Sequence, residues 1–210
     1  MNTSTRAANQ LFTFRIIAQR SRSRAVRADL GRSQIWAKPL GIIDTVRSVE
    51  IREFTSDDTE DAARLYLQSA EHHTELDPDF YRIPDPGAVV AHYEKLVERV
   101  KTGPLMCFVA ESDETVVGLV EVRISDPPPL NSMLRPRRIA SVDIVVDVDR
   151  RRQGIGKALM RRAETWARDQ GATSLMLDML RANEPAVAFY TALGYEDHGA
   201  LLLKRHLGPE

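Results

Sequence analysis

The segment that most restricts this chain is Val146-Asp147-Val148-Asp149-Arg150-Arg151-Arg152-Gln153-Gly154-Ile155-Gly156-Lys157-Ala158-Leu159. An apolar strand passes there through a basic, glycine-bearing turn into an amphipathic helix. The first N–H groups of a helix have no intrahelical partner and sit at its positive dipole end, so an anion placed there meets several amides at once. Glycine lets the anion reach the backbone. Ile155, Leu159, Ala163 and Trp166 recur at helical spacing and give the helix one buried face, which would fix the turn against a sheet. Two other phosphate motifs fit poorly. A dinucleotide fingerprint needs a third small residue where Leu159 stands, and a P-loop needs Ser or Thr where Ala158 follows Gly156-Lys157. Taken alone, a helix that begins with two glycines and surface arginines requires no ligand.

The elements around this segment alternate. Residues 49–54 read as a strand, and Ser56, Asp57 and Asp58 can cap a helix to about His72. A second helix is expected over 87–102, with Val90, Tyr93, Val97 and Val100 on one face and Gly103-Pro104 as its stop. Residues 106–111 and 116–124 read as a hairpin turning at Ser112-Asp113-Glu114. Pro127-Pro128-Pro129 forces a loop. A strand over 139–148, a helix over 154–170 ended by Gly171, a strand over 173–180, a helix over 184–193 and one or two closing strands over 195–207 complete the order. The order β-α-α-β-β-β-α-β-α-β specifies a mixed α/β domain, expected from residue 49 to residue 210.

At 43% hydrophobic and 28% charged, the chain has the composition of a soluble globular protein. It shows neither a membrane-spanning apolar run nor a secretory signal, so a cytoplasmic setting is expected, with no membrane partner. Its single cysteine, Cys107, lies in an apolar run and reads as a buried hydrophobe, which excludes an internal disulfide. Residues 1–48 hold nine Lys or Arg against two Asp and show no sustained period. They read as a poorly ordered extension, with a mitochondrial transit peptide or an early start codon as alternatives. The remainder is acidic, which argues against a nucleic-acid partner.

A second motif, Asn183-Glu184-Pro185-Ala186-Val187-Ala188-Phe189-Tyr190-Thr191-Ala192-Leu193-Gly194-Tyr195, follows after a helix and a strand. Locally, Asn183 is a good N-cap with Pro185 in the first turn, and Ala186, Phe189, Tyr190 and Leu193 form a core-facing stripe. Together the two segments resemble the GNAT N-acetyltransferases. Arg151-Arg152-Gln153-Gly154-Ile155-Gly156 matches the pattern Arg/Gln-x-x-Gly-x-Gly/Ala, and the second segment matches Asn-x-x-Ala-x-x-Phe-Tyr-x-x-x-Gly-Phe/Tyr. Val148 departs from the proline common there.

The resemblance implies a single acyl-CoA N-acyltransferase domain, with a central mixed sheet of six to seven strands and about four helices. It implies acetyl-CoA as co-substrate, with Arg151, Arg152, Gln153, Gly154, Ile155, Gly156 and Lys157 around the pyrophosphate. The splayed strand Ile144, Val145, Val146 and Val148 would bond the pantetheine, and Asn183 would add to it. Resemblance places oxyanion donors near Val145 and Val146 and makes Tyr190 the acid that protonates the departing thiolate.

A base is needed as well, because only a neutral amine attacks and a lysine-type amine is roughly 0.04% neutral at pH 7. Asp143 is the leading candidate, since related acetyltransferases often carry a carboxylate at that strand position; Asp147 and Glu121 are weaker options. Between the first two helices, where the family builds its acceptor site, His73 and Tyr81 are expected to contact substrate. His72-His73-Thr74-Glu75 suggests metal less than a polar loop, because adjacent histidines do not share a helix face. The acceptor is expected to be a small-molecule or protein amine, and family habit leaves a homodimer open. The alternative is a GNAT-fold domain that binds acyl-CoA without catalysis.

Overall fold

The computed structural model describes residues 49–199, so the expected extension 1–48 and the last eleven residues lie outside the described part. In chain order the elements are β1 (Glu50–Glu53), α1 (Thr59–Leu76), α2 (Pro86–Thr102), β2 (Leu105–Ser112), β3 (Thr115–Ser125), β4 (Ile139–Val146), α3 (Ile155–Asp169), β5 (Ser174–Met176) and α4 (Glu184–Ala192). They form a mixed α/β fold built on one sheet of order β1-β2-β3-β4-β5. Every neighbouring pair is antiparallel except the last, where β5 runs parallel to β4 after the α3 crossover.

Five strands are present among the described residues, against the six to seven expected. Residues 195–199 hold no strand, and the rest of the closing strands expected over 195–207 lies outside the described residues. The hairpin turn is carried by Asp113 and Glu114 at φ of 52° and 59°. Two consecutive left-handed residues match the twist of the strands they join.

Side-chain alternation divides the sheet between two cores. Val120, Val122, Ala140 and Val142 face α3, whose Ile155, Leu159, Met160, Ala163 and Ala167 are buried against them. Cys107, Val109 and Leu119 face α1 and α2, against Ala62, Ala63, Leu65, Tyr93 and Leu96. Cys107 is fully buried, as its apolar surroundings suggest. Full burial of each large apolar side chain is worth about 1.5–3 kcal/mol, and these two layers hold the sheet between the helices.

Some boundaries differ from the sequence reading. Helix α1 runs on to Leu76, beyond His72, so the segment expected as a polar loop is its last turn. Thr74 and His73 bond back to the carbonyls of Ala70 and Ser69, so these polar side chains find partners within the helix itself. Helix α2 begins one residue early, at Pro86, because the Asp85 carboxylate caps it by accepting the Ala88 N–H at 2.8 Å. Its fully buried face is Val89, Tyr93 and Leu96, with Val90, Val97 and Val100 packed half-buried beside them. Strand β5 covers only three residues of the expected 173–180.

Candidate active site

The register of β4 creates the cleft. Its pairing with β5 is limited to Ile139↔Ser174, Ala140↔Leu175 and Ser141↔Met176, while its pairing with β3 continues to Val146↔Gly118. Beyond Ser141 the β5-facing edge of β4 therefore has no strand partner among the described residues. Strand geometry decides which peptide groups line that edge. The Asp147 N–H bonds Val117 O at 2.9 Å and Arg138 O accepts from Thr173 N–H at 3.0 Å, so odd residues face β3 and even residues face β5. The N–H and C=O groups of Ile144 and Val146 thus point into the opening. Those of Val145 are directed at Leu119.

The turn after β4 is built for close approach. Strand β4 stops at Val146 because the Asp147 carboxylate accepts the Asp149 N–H at 3.1 Å and caps a 3-10 turn, Val148–Arg150. Arg152 and Gly154 then take left-handed conformations, φ 64° and 85°. No side chain caps α3 at Gly154, and its first helical bond is Ala158 N–H to Gly154 O, at 3.0 Å. The N–H groups of Ile155, Gly156 and Lys157 therefore remain at the positive end of a 15-residue helix.

Arg151, Arg152, Gln153 and Lys157 are exposed around this turn. Arg151 Nε donates to Val146 O at 3.3 Å, and Gln153 Nε2 donates to Asp149 O at 3.4 Å. Ile155 is buried, so it can offer only backbone to a ligand, and Val148 is 54% exposed.

The two motifs meet at Gly156. A Cβ added there would lie 3.1 Å from Phe189 Cζ and 3.6 Å from Val146 Cγ2. Glycine is thus what allows α4, α3 and the end of β4 to converge. On α4, Asn183 Oδ1 caps the helix by accepting Ala186 N–H at 3.3 Å, which leaves its amide nitrogen for another acceptor. Tyr190 packs between Phe189 and Tyr195, at ring separations of 5.1 and 5.7 Å. Burial, reinforced by the nearby Asp143, pushes its hydroxyl up to about 12.

Three carboxylates were candidates for a base, and their surroundings separate them. Asp147 accepts Arg64 Nη1 at 2.6 Å. Burial would raise its carboxyl, but the bonds from Arg64 and the Asp149 N–H outweigh it and hold Asp147 below the usual range. Glu121 and Asp143 are direct cross-strand partners on the face toward α1 and α2. Glu121 is buried, and desolvation followed by repulsion from Asp143 raises it, against the opposing charges of Arg123 and Arg99. Asp143 reaches solvent, yet the protein around it raises it by desolvation; Arg123 opposes the rise and Asp178 adds to it.

Asp178 and Tyr66 are parts of this neighbourhood that the sequence reading passed over. Tyr66 of α1 packs edge-on to Tyr93 at 6.3 Å and is raised by burial and by Asp143 and Glu121. His73 lies on α1, where its Nδ1 contacts Ser69 O at 2.7 Å, and its ring lies 5.2 Å from Tyr81. A carbonyl only accepts, so Nδ1 carries a proton. Tyr81 is raised by burial and by Asp77 and Asp178, which ties this aromatic pair to the same acidic neighbourhood. Among the described residues, no group of three or more His, Cys, Asp or Glu is arranged to hold a metal ion, and no helix is long and apolar enough to cross a membrane.

The profile of the acetyltransferase (GNAT) family matches residues 59–195, which takes in the turn, both motifs and every strand after β1. The chain belongs to this family. Among curated proteins it is similar to human N-acetyltransferase 8, with 42% identity over 94 residues, 44% of this chain and 40% of that protein. It is also similar to N-acetyltransferase 8F1 of Rattus norvegicus, with 35% identity over 97 residues, 46% of this chain and 42% of that protein. The chain thus spans about two fifths of the length of these curated relatives.

Solved structures share the fold of this GNAT chain. A mutant of the BH1408 protein from Bacillus halodurans superposes with a TM-score of 0.68 at 24% identity, covering 75% of this chain and 99% of that one. An aminoglycoside N-acetyltransferase, AAC(6')-Iy in complex with CoA, gives 0.57 at 19% identity, covering 80% of this chain and 100% of that one.

Proposed function

We propose that this chain is an acetyl-CoA-dependent N-acetyltransferase that transfers an acetyl group to an amine by direct attack on the thioester. One observation carries the reading: β4 parts from β5 after Ser141 and ends at an uncapped, glycine-led helix N-terminus. This combination suits a long ligand with a polar arm and a polyanionic end. The arm would lie along the peptide groups of Ile144 and Val146, with the Asn183 amide beside it. The pyrophosphate would rest on the N–H groups of Ile155, Gly156 and Lys157, flanked by Arg151, Arg152 and Gln153. A side chain at Gly156 would fill this cradle from behind, against Phe189.

Acetyl-CoA would supply the activated thioester, and the remaining work falls to this chain. Asp143 serves as the base, because it alone of the three carboxylates is both accessible and raised toward the pKa of a useful proton acceptor. Asp147 is held too low by Arg64 to serve, and Glu121 is buried. Tyr190 stays protonated at neutral pH and can protonate the leaving thiolate. The Val146 N–H, directed into the opening, is the donor for the developing oxyanion. His73 and Tyr81 line the acceptor side.

The acidic neighbourhood of Glu121, Asp143 and Asp178 fits a cationic amine better than an anionic one. In this reading residues 49–210 make up the catalytic domain behind the extension 1–48. The setting is cytoplasmic, supported by a fold that buries its single cysteine and needs no disulfide. Assembly as a homodimer rests on family resemblance alone.

Calorimetric titration of the full chain with acetyl-CoA tests the reading, alongside a variant in which Gly154 and Gly156 are both replaced by valine. Binding by the unmodified chain and its loss in the folded variant are expected. A panel of amines with thiol release as readout then identifies the acceptor. Absence of acetyl-CoA binding by the unmodified chain would sink the assignment.

A further inference from the structure

Arg64 lies on α1, on the face of the sheet opposite α3, and its guanidinium reaches the start of the phosphate turn. Nη1 donates to Asp147 Oδ2 at 2.6 Å, and Nη2 donates to Val116 O at 2.8 Å. Nε and Nη2 also donate to Asp61 Oδ1 at 3.1 and 3.0 Å. The second Asp61 oxygen accepts the Val116 N–H at 3.1 Å, so Arg64 and Asp61 together grip both peptide groups of Val116 at the start of β3. One helical turn further along α1, Gln68 Oε1 accepts the Val148 N–H at 3.4 Å.

Asp147 is the junction of this arrangement. It ends β4, caps the 3-10 turn through Asp149 and bonds Val117 through its own N–H, and its remaining carboxylate oxygen is taken by Arg64. Beyond it the chain adopts left-handed conformations at Arg152 and Gly154. A non-glycine residue held there costs about 1–2 kcal/mol, so such a turn persists only where its surroundings over-determine it.

We propose that Arg64 is a positioning residue for the acyl-CoA pyrophosphate turn, acting through Asp147 from the other side of the sheet. The inference rests on the functional reading above. It also requires arginine in particular. A planar fork can serve Asp147, Asp61 and the Val116 carbonyl together, whereas a lysine ammonium on a flexible stem cannot span the three. Because Tyr66 and His73 share α1 with Arg64, the same contact joins the helix on the acceptor side to the cofactor turn.

The test is calorimetric titration of the full chain with CoA for the unmodified protein, Arg64→Met, Arg64→Lys, Asp147→Asn and the Arg64→Met/Asp147→Asn pair, with urea unfolding of each. Asparagine at 147 keeps an acceptor for the Asp149 N–H while removing the charge that Arg64 meets. Arg64→Met is expected to weaken CoA about tenfold, with Arg64→Lys failing to restore it, Asp147→Asn giving a similar loss and the double variant no greater one. With an amine from the panel, KM for acetyl-CoA should rise by the same factor while kcat changes less than twofold.

A purely structural role would lower the unfolding midpoint and leave CoA affinity within twofold in the folded variants, and that result overturns the inference while the functional reading stands. Additive losses in the double variant also overturn it. Should Arg64→Met not fold, Asp147→Asn carries the same comparison. Failure of the unmodified chain to bind CoA overturns both readings together.

Discussion

Gly118 tests how closely α3 is seated on the sheet. It lies in β3 opposite Val146, beneath the first turn of α3. A Cβ added there would stand 3.1 Å from Leu159 Cδ1, 3.2 Å from Val145 O and 3.3 Å from Ile155 Cγ2. None of the three can yield easily. Leu159 and Ile155 are 0% and 3% exposed and packed within the core under α3, and the Val145 carbonyl belongs to the β3–β4 ladder.

Overpacking of this kind costs about 1–3 kcal/mol, and the restricted unfolded chain of an alanine returns about 0.4–1 kcal/mol. With three atoms crowded at once the upper part of that cost, about 2–3 kcal/mol, applies, so the net loss for Gly118→Ala is about 1–2.6 kcal/mol, or a melting temperature lower by about 2–10 °C for a domain of this size. Urea unfolding measures it, and the m-value should not change. Because the strain lifts the helix end that would hold the pyrophosphate, CoA affinity should fall as well. Gly154→Ala is the contrast. Nothing lies within 4 Å of its added Cβ, so the cost comes from φ alone, about 1–2 kcal/mol, and asparagine should recover part of it. A Gly118→Ala protein as stable as the parent would refute the close seating.

Other outcomes follow from the charged groups. Asp143→Asn should lower turnover about 10²-fold and abolish the acid limb of the pH–rate profile, leaving CoA affinity unchanged. Glu121 is held above its ordinary value, so its ionisation opposes folding at neutral pH. Glu121→Gln should therefore raise stability in urea at pH 7, with the gain vanishing below about pH 4, where the unfolded chain is protonated too. Asp58 has the opposite sign: burial works to raise it, but bonds from Arg52 and Thr55 prevail and lower it. Its contribution is present above about pH 4 and lost as pH falls through the lowered value. Asp58→Asn should cost about 3 kcal/mol at pH 7, read by urea unfolding, and progressively less in acid.

What could be read from the sequence was local. Helix α3, its glycines and the Asn183 cap depend on neighbours within a few residues, and the alternation of β3 and β4 shows in their apolar pattern. Pairings between distant residues could not be read that way. Arg64 meets Asp147 across 83 positions, and neither sits in a motif that announces the other. The adjacency of Glu121 and Asp143 depends on strand register, and Asp178 joins Asp143 from the chain just past β5, which the parallel register with β4 brings to that position. His73 was expected in a loop because the polar residues around it carry no apolar stripe, yet the helix runs on through them with their side chains bonded to its carbonyls. The direction of peptide groups along β4 also needed the register, which turns Val146 toward the opening and Val145 away from it.

That last feature bears on how much such a chain can change. Along the open edge of β4 the groups presented are amides and carbonyls, which every amino acid supplies alike, while the side chains of Ile144 and Val146 pack into the α3 core. On the proposed reading, recognition by the main chain would tolerate drift at these positions, provided the replacements still pack. Selection would then act on the shape of the wedge, through glycines and register, more than on the identity of the residues lining it.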